Sequence, residues 1–231
     1  MAQIEVFDTA AELATGVAGR LGERLDSISG RDRNVVLTGG TIAAKIYAEL
    51  NAENGPWHEA HYWWGDERFV PAGHADRNDK MADDTFLDRL AVPAANRHRM
   101  PAHGCEKSMT AAADEYGKTL PSEPFDVVLL GVGPDAHIAS LFPGHPQVEE
   151  QSRRCVEVFD SPKPPAQRIT LTYPALNHSA AVWFLVSGAE KATAVANVFG
   201  GATPLEAPAG GAHGIAETVW FLDRDAASLL S

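Results

Sequence analysis

The chain has 231 residues, 45% of them hydrophobic and 22% charged, with a formal net charge of −12. That length and balance suit a globular chain able to bury a core without staples, and they exclude a disordered or low-complexity class. An acidic excess of this size argues against general nucleic-acid or anionic-membrane binding, which needs basic surface; any phosphate must be met by a local cluster of cations and N–H donors.

In chain order, short β-rich runs alternate with helical patterns, the signature of a parallel-sheet α/β architecture. Residues 3–7 read as a strand, and Asp8 or Thr9 can cap the helix that follows, where Leu13, Val17, Leu21, Leu25 and Ile28 recur on one face. Residues 34–38 form a short apolar strand running straight into Gly39-Gly40-Thr41 and a second helix with Ile42, Ile46, Tyr47 and Leu50 on its buried side. The next strand, 60–64, ends in Gly65-Asp66-Glu67-Arg68. A polar loop reaches about Asp79, and 81–90 is expected to be helical. A helix over 111–120 leads to the most buried-looking strand, 125–130. Strands follow at 155–159, 168–172, 181–186 and 218–222, with helices at 190–199 and 226–230. Residues 200–214 are rich in Gly, Ala and Pro and read as an exposed loop rather than a linker. The expectation is one domain, 1–231, built as an α/β fold on a mostly parallel, Rossmann-like sheet flanked by helices.

Cys105 and Cys155 have no metal-ligand spacing, and a disulfide framework is not expected in so large a domain. The first residues, Met-Ala-Gln-Ile-Glu-Val, lack the basic and apolar regions of a signal peptide. No apolar run approaches the roughly 20 residues that span a bilayer. A cytoplasmic protein without a membrane partner is expected; nothing in the composition sets an oligomeric state.

In open parallel sheets, chemistry gathers where strand C-termini meet helix N-termini. Three loops hold that position. Gly39-Gly40-Thr41 lets the backbone approach a ligand, with free N–H groups and a hydroxyl behind it; the alternative is a tight turn with Thr41 as helix cap. Asp66, Glu67 and Arg68 offer carboxylates and a guanidinium that position a sugar or stabilise an oxyanion, or else a structural ion pair from Arg68 to Asp66 or Glu67. Asn78, downstream, has the same two readings. The third loop, Gly131-Val132-Gly133-Pro134-Asp135-Ala136-His137, is the richest. A carboxylate beside an imidazole fixes its tautomer and raises its basicity, as general-base catalysis requires, although a lone histidine is more often structural. A fourth segment, Lys163-Pro164-Pro165-Ala166-Gln167-Arg168, carries two cations on a stiff proline pair, pre-set to clamp an anion or simply exposed to solvent. The remaining histidines show no HExxH-type pairing, so no zinc site is expected, and Ser140 lies outside any G-x-S-x-G elbow.

These four segments, in this order, resemble the 6-phosphogluconolactonases, within the wider glucosamine-6-phosphate isomerase/deaminase superfamily. The similarity runs from about Val35 to Gly188. It rests on the strand into Gly39-Gly40-Thr41, on Trp64-Gly65-Asp66-Glu67-Arg68, on Gly131 to Pro143 around His137, on Pro164 to Thr170, and on Gly188 to Lys191. Ala136 stands where the family pattern has glycine; if that position needs φ > 0, alanine strains the turn by roughly 1–2 kcal/mol. Ile138 stands where many relatives carry Thr. The resemblance implies hydrolysis of a small phosphosugar lactone without a cofactor. It also implies His137 as acid/base, Asp135 as its orienting carboxylate, and phosphate held around Gly39, Gly40, Thr41, Lys163 and Arg168. Arg68 would meet the phosphate or the oxyanion. Two other functions compete with this one. An isomerase/deaminase of the superfamily has a glutamate soon after the histidine, where this chain has Phe142. A non-catalytic sugar-phosphate sensor would usually carry a DNA-binding or partner module, for which the chain has neither the length nor the charge.

Overall fold

The structure, a computed structural model, describes residues 2–230. Its elements are β1 (Gln3–Phe7), α1 (Ala10–Asp26), β2 (Arg33–Leu37), α2 (Thr41–Glu49), β3 (Ala60–Trp64), β4 (Asp66–Arg68), α3 (Asn78–Ala82), α4 (Met109–Thr119), β5 (Val127–Gly131), β6 (Cys155–Val158), β7 (Arg168–Leu171), α5 (Tyr173–Leu176), β8 (Ala181–Val186), α6 (Ala192–Phe199) and β9 (Glu217–Asp223). Six strands form one sheet in the order β1-β9-β8-β5-β2-β3, every neighbouring pair parallel. A second, antiparallel sheet runs β4-β7-β6. Gly65 is the joint between them: its N–H donates to Leu37 of the large sheet, and its carbonyl accepts from Leu171 of the small one.

The middle strands are apolar without alternation because both of their faces are covered; every residue of β8 is buried. On one face Glu217 accepts from Arg20 of α1, and the Arg20 guanidinium lies over Trp183 and Phe221. On the other, Phe199 of α6 packs edge-on against Trp220, which stacks on Phe184. Helix α1 begins at Thr9, whose hydroxyl accepts from the Glu12 N–H while the Glu12 carboxylate reaches back to the Asp8 N–H. That reciprocal cap is readable in the sequence as Thr-x-x-Glu.

Strands 3–7, 60–64 and 181–186 have the predicted bounds, and the other predicted strands shift by one or two residues. Four expectations differ. Residues 66–68 form β4 rather than loop. The helix expected over 81–90 starts earlier, at Asn78, and loosens to a π turn over Asp83–Leu87. Residues 173–176 make a short helix, α5, that apolar patterning did not show. In place of the helix expected over 226–230, residues 226–229 form turns, with the Ala226 N–H drawn onto the Asp223 carboxylate. Among the described residues no helix is long and apolar enough to cross a membrane.

Candidate active site

The loops that follow β2, β3, β5 and β8 converge on a cavity of about 630 Å³. Of the residues singled out from the sequence, Gly39, Gly40, Thr41, Asp66, Arg68, Asn78, His137, Lys163 and Arg168 line it. Asp135 stands just behind His137.

Gly40, at φ 104°, precedes α2 as its cap residue, so Thr41 opens the helix instead of capping it. Gly39 is required by contact: a Cβ there would fall 2.1 Å from the Asn78 side-chain oxygen. The first loop thus packs onto the second. Behind it the Thr38 hydroxyl accepts from the Gly131 N–H, joining the first loop to the third.

On β4, Asp66 is buried and accepts from the Ser140 hydroxyl at 2.6 Å and from the Asn78 amide at 3.2 Å, with Arg168 Nη1 at 3.7 Å. The ion pair expected from Arg68 to Asp66 or Glu67 is absent. Arg68 Nη1 donates instead to the Asp76 carbonyl (2.6 Å) and to Asn78 Oδ1 (3.0 Å). Glu67 faces away from the cavity, 1% exposed. Its carboxylate accepts from the backbone N–H groups of Arg68, Asn78 and Asp79 at 2.8–2.9 Å, with Arg77 Nη2 at 3.8 Å. Burial pushes the Glu67 carboxyl up to about 7, against the pull of Arg77 and of those N–H donors.

The histidine loop is a tight turn. The Gly133 N–H donates to the His137 carbonyl and the Ala136 N–H to the Gly133 carbonyl, both at 2.9 Å. Ala136 adopts φ 62° and Ala139 φ 47°, so two left-handed alanines flank the histidine. At Gly133 a Cβ would lie 1.9 Å from His137 Nδ1. His137 Nδ1 meets Asp135 Oδ1 at 2.5 Å, and its ring packs on buried Phe142 with centroids 4.7 Å apart. Burial raises the Asp135 carboxyl, but the hydrogen bond from His137 and the charge of Lys163 outweigh it and hold Asp135 well below the usual carboxylate range. An ionised Asp135 can only accept, so Nδ1 carries the proton and Nε2 presents the lone pair. Lys163 Nζ lies 3.2 Å from Nδ1 and 3.6 Å from Asp135 Oδ1. With both nitrogens protonated, the attraction that holds the ammonium there is to the carboxylate.

The two cations of the proline segment differ. Lys163 is part-exposed at the cavity rim, whereas Arg168 is buried and donates to the carbonyls of Lys163, Pro164 and Pro165 at 3.1–3.2 Å. Neither is a freely solvated surface charge.

Sequence reasoning missed part of the lining: Lys45, one turn into α2, and Ser187, Gly188, Glu190 and Lys191 after β8. Burial and nearby Lys163 hold the Lys191 ammonium below its ordinary range, against the opposing pull of Glu190 and Asp135. The Gly188-x-x-Lys191 spacing was the available signal for it. Asp223, at the end of β9, fixes this wall by accepting from the Ser187 hydroxyl at 2.5 Å and the Gly188 N–H at 3.1 Å. A second cavity, of about 730 Å³, lies between α1 and the segment 52–58. Its one arginine, Arg89, is occupied by the carbonyls of Tyr47, Ala48 and Thr85.

The family described as glucosamine-6-phosphate isomerases/6-phosphogluconolactonase matches residues 8–220. The chain is 44% identical to a 6-phosphogluconolactonase of Mycobacterium tuberculosis, covering 98% of each. With a 6-phosphogluconolactonase of Streptomyces coelicolor the identity is 43%, over 85% of this chain and 82% of the relative. Among solved structures, the Trypanosoma brucei 6-phosphogluconolactonase superposes with a TM-score of 0.85 at 27% identity, covering 100% of this chain and 99% of that one. A monomeric glucosamine-6-phosphate deaminase shares the fold, with a TM-score of 0.83 at 22% identity over 98% of this chain and 99% of that one.

Proposed function

The chain belongs to the glucosamine-6-phosphate isomerase/6-phosphogluconolactonase family, and from that premise we propose that it hydrolyses 6-phospho-D-glucono-1,5-lactone to 6-phosphogluconate, in the oxidative pentose phosphate pathway, by general-base activation of water. The observation that carries the chemistry is the Asp135–His137 pair: Nδ1 is committed to a carboxylate, and no protein group among the described residues is hydrogen-bonded to Nε2.

In this mechanism Nε2 takes a proton from water as its oxygen attacks C1 of the lactone. The tetrahedral oxyanion that forms is met by Arg68, whose guanidinium lines the cavity. On collapse the C1–ring-oxygen bond breaks, the imidazolium returns its proton to that oxygen, and the open acid leaves. Asp135 stays ionised throughout, holding the tautomer and balancing the charge that His137 acquires. The phosphate is held by Gly39, Gly40, Thr41, Lys163 and Arg168, with Asp66 and Asn78 ordering the wall beside Arg68. Its binding energy is thereby converted into orientation at C1. The lactone is already an activated ester, so this chemistry calls on no cofactor.

An isomerase reading needs a further acid/base group beside the histidine. The nearest ring there belongs to Phe142, apolar and 1% exposed, which favours hydrolysis. Residues 1–231 act, in this reading, as one sugar-phosphate-binding domain in the cytoplasm. His137→Ala is expected to lower turnover of freshly made lactone by roughly 10²–10⁴ with the fold intact, the scale of a lost general base. Near-normal turnover in a folded His137→Ala protein would remove the mechanism.

A further inference from the structure

Along β4, Asp66 and Arg68 line the cavity, and Glu67 between them turns inward. Nothing in the reaction above uses Glu67, yet three backbone N–H groups converge on its buried carboxylate. Both of its oxygens are occupied by backbone donors: Oε1 by the N–H groups of Arg68 and Asn78, Oε2 by that of Asp79.

The Arg68 guanidinium depends on the same stretch of chain. Among the described residues no carboxylate pairs with it, and its Nε is buried without a partner. The two bonds that hold it both come from the segment 76–78, through the Asp76 carbonyl and Asn78 Oδ1. Asn78 is set in turn from two sides: its backbone N–H by Glu67, and its side-chain amide by the Asp66 carbonyl at 2.9 Å. An arginine without an ion pair is placed only as well as the loop that holds it.

We propose that Glu67 is a positioning residue for the reaction, acting through Asn78 to fix the Arg68 guanidinium at the cavity wall. The inference rests on the reading that Arg68 meets the substrate. Glu67→Gln is the informative change because it keeps shape and volume. A carboxylate accepts at both oxygens, whereas an amide presents one acceptor and one NH₂ group. Either orientation of the amide therefore sets a donor against a backbone N–H.

The experiment is a double-mutant cycle on kcat/KM, with thermal midpoints measured in parallel. Glu67→Gln is expected to lower kcat/KM about tenfold when Arg68 is present and less than about twofold in an Arg68→Ala background, the coupling of residues that act in series. A purely structural loss would multiply through both backgrounds unchanged. An equal factor in the two backgrounds, or wild-type kcat/KM for Glu67→Gln, overturns the proposal while leaving Arg68 its role. Wild-type activity in Arg68→Ala alone would instead remove the role of Arg68, and this proposal with it. Should Glu67→Gln fail to fold, Glu67→Asp takes its place in the cycle. It keeps the buried charge but draws the carboxylate back from the Asn78 and Asp79 N–H groups, and the same two outcomes decide.

Discussion

The alanine between Asp135 and His137 sits at φ 62°, where glycine is at ease and an alanine methyl costs about 1–2 kcal/mol. Two terms oppose its replacement by glycine. The Ala136 methyl is buried, at 2% exposure, and one buried methyl contributes about 0.8 kcal/mol. Glycine also loosens the unfolded chain by about 0.4–1 kcal/mol. These magnitudes nearly cancel, so Ala136→Gly is expected to keep the thermal midpoint within a few degrees of wild type. Turnover is the sharper readout. With the strain released and the hydrogen bonds of the turn kept, kcat should be held or raised. A clear fall in both kcat and midpoint would show that the turn needs its methyl more than it needs relaxed angles.

The segment from Lys163 to Arg168 performs two tasks that its sequence presents as one. Arg168 gathers three carbonyls of the proline loop, while the Lys163 ammonium makes no such structural bond. Lys163→Ala should weaken 6-phosphogluconate binding by roughly 1–3 kcal/mol, typical of a charge-assisted contact, and leave the thermal midpoint unchanged. Arg168→Ala should weaken binding and lower the midpoint as well. Calorimetry and thermal melts on both variants test this, and an unchanged affinity in both would remove the clamp. The same split between local and long-range causes decides how much was legible beforehand. Strand 181–186 was readable as an unbroken apolar run, and 60–64 as an aromatic-rich run that ends at Gly65. The three residues of β4 carry no periodicity, and their partner β7 lies about a hundred positions downstream. The start of α3 is set by the Glu67 side chain reaching the N–H groups of Asn78 and Asp79, a cap no local pattern announces. Likewise Thr41, Arg68, Asn78 and His137 were visible as loop chemistry. Lys191 carried a signal in the Gly188-x-x-Lys191 spacing, whereas Lys45 joined the cavity lining only when the fold brought α2 to it.

Across the whole molecule, five cationic side chains, Lys45, Arg68, Lys163, Arg168 and Lys191, line a single cavity in a chain of net charge −12. A local positive field inside an acidic exterior draws small anions to that cleft and disfavours polyanions elsewhere. The same view bears on the order of assembly. Strand β1 pairs with β9, nearly the full length of the chain apart, and Asp223 at the end of β9 anchors Ser187 and Gly188 of the cavity wall. A ribosome adding about 5–20 residues per second therefore delivers every loop of the site before it delivers the residue that locks the last of them. Catalytic competence should be the final property such a chain acquires, during synthesis or on refolding from denaturant. Pulse-labelled hydrogen exchange at residues 219–222, set beside recovery of lactone turnover, tests that order. Turnover that returns before those amides are protected would break it. If the order holds, a growing chain spends most of its synthesis with an unfinished pocket, so nascent copies neither compete for the sugar phosphate nor turn it over, and the last strand works as the switch that brings each new molecule into service.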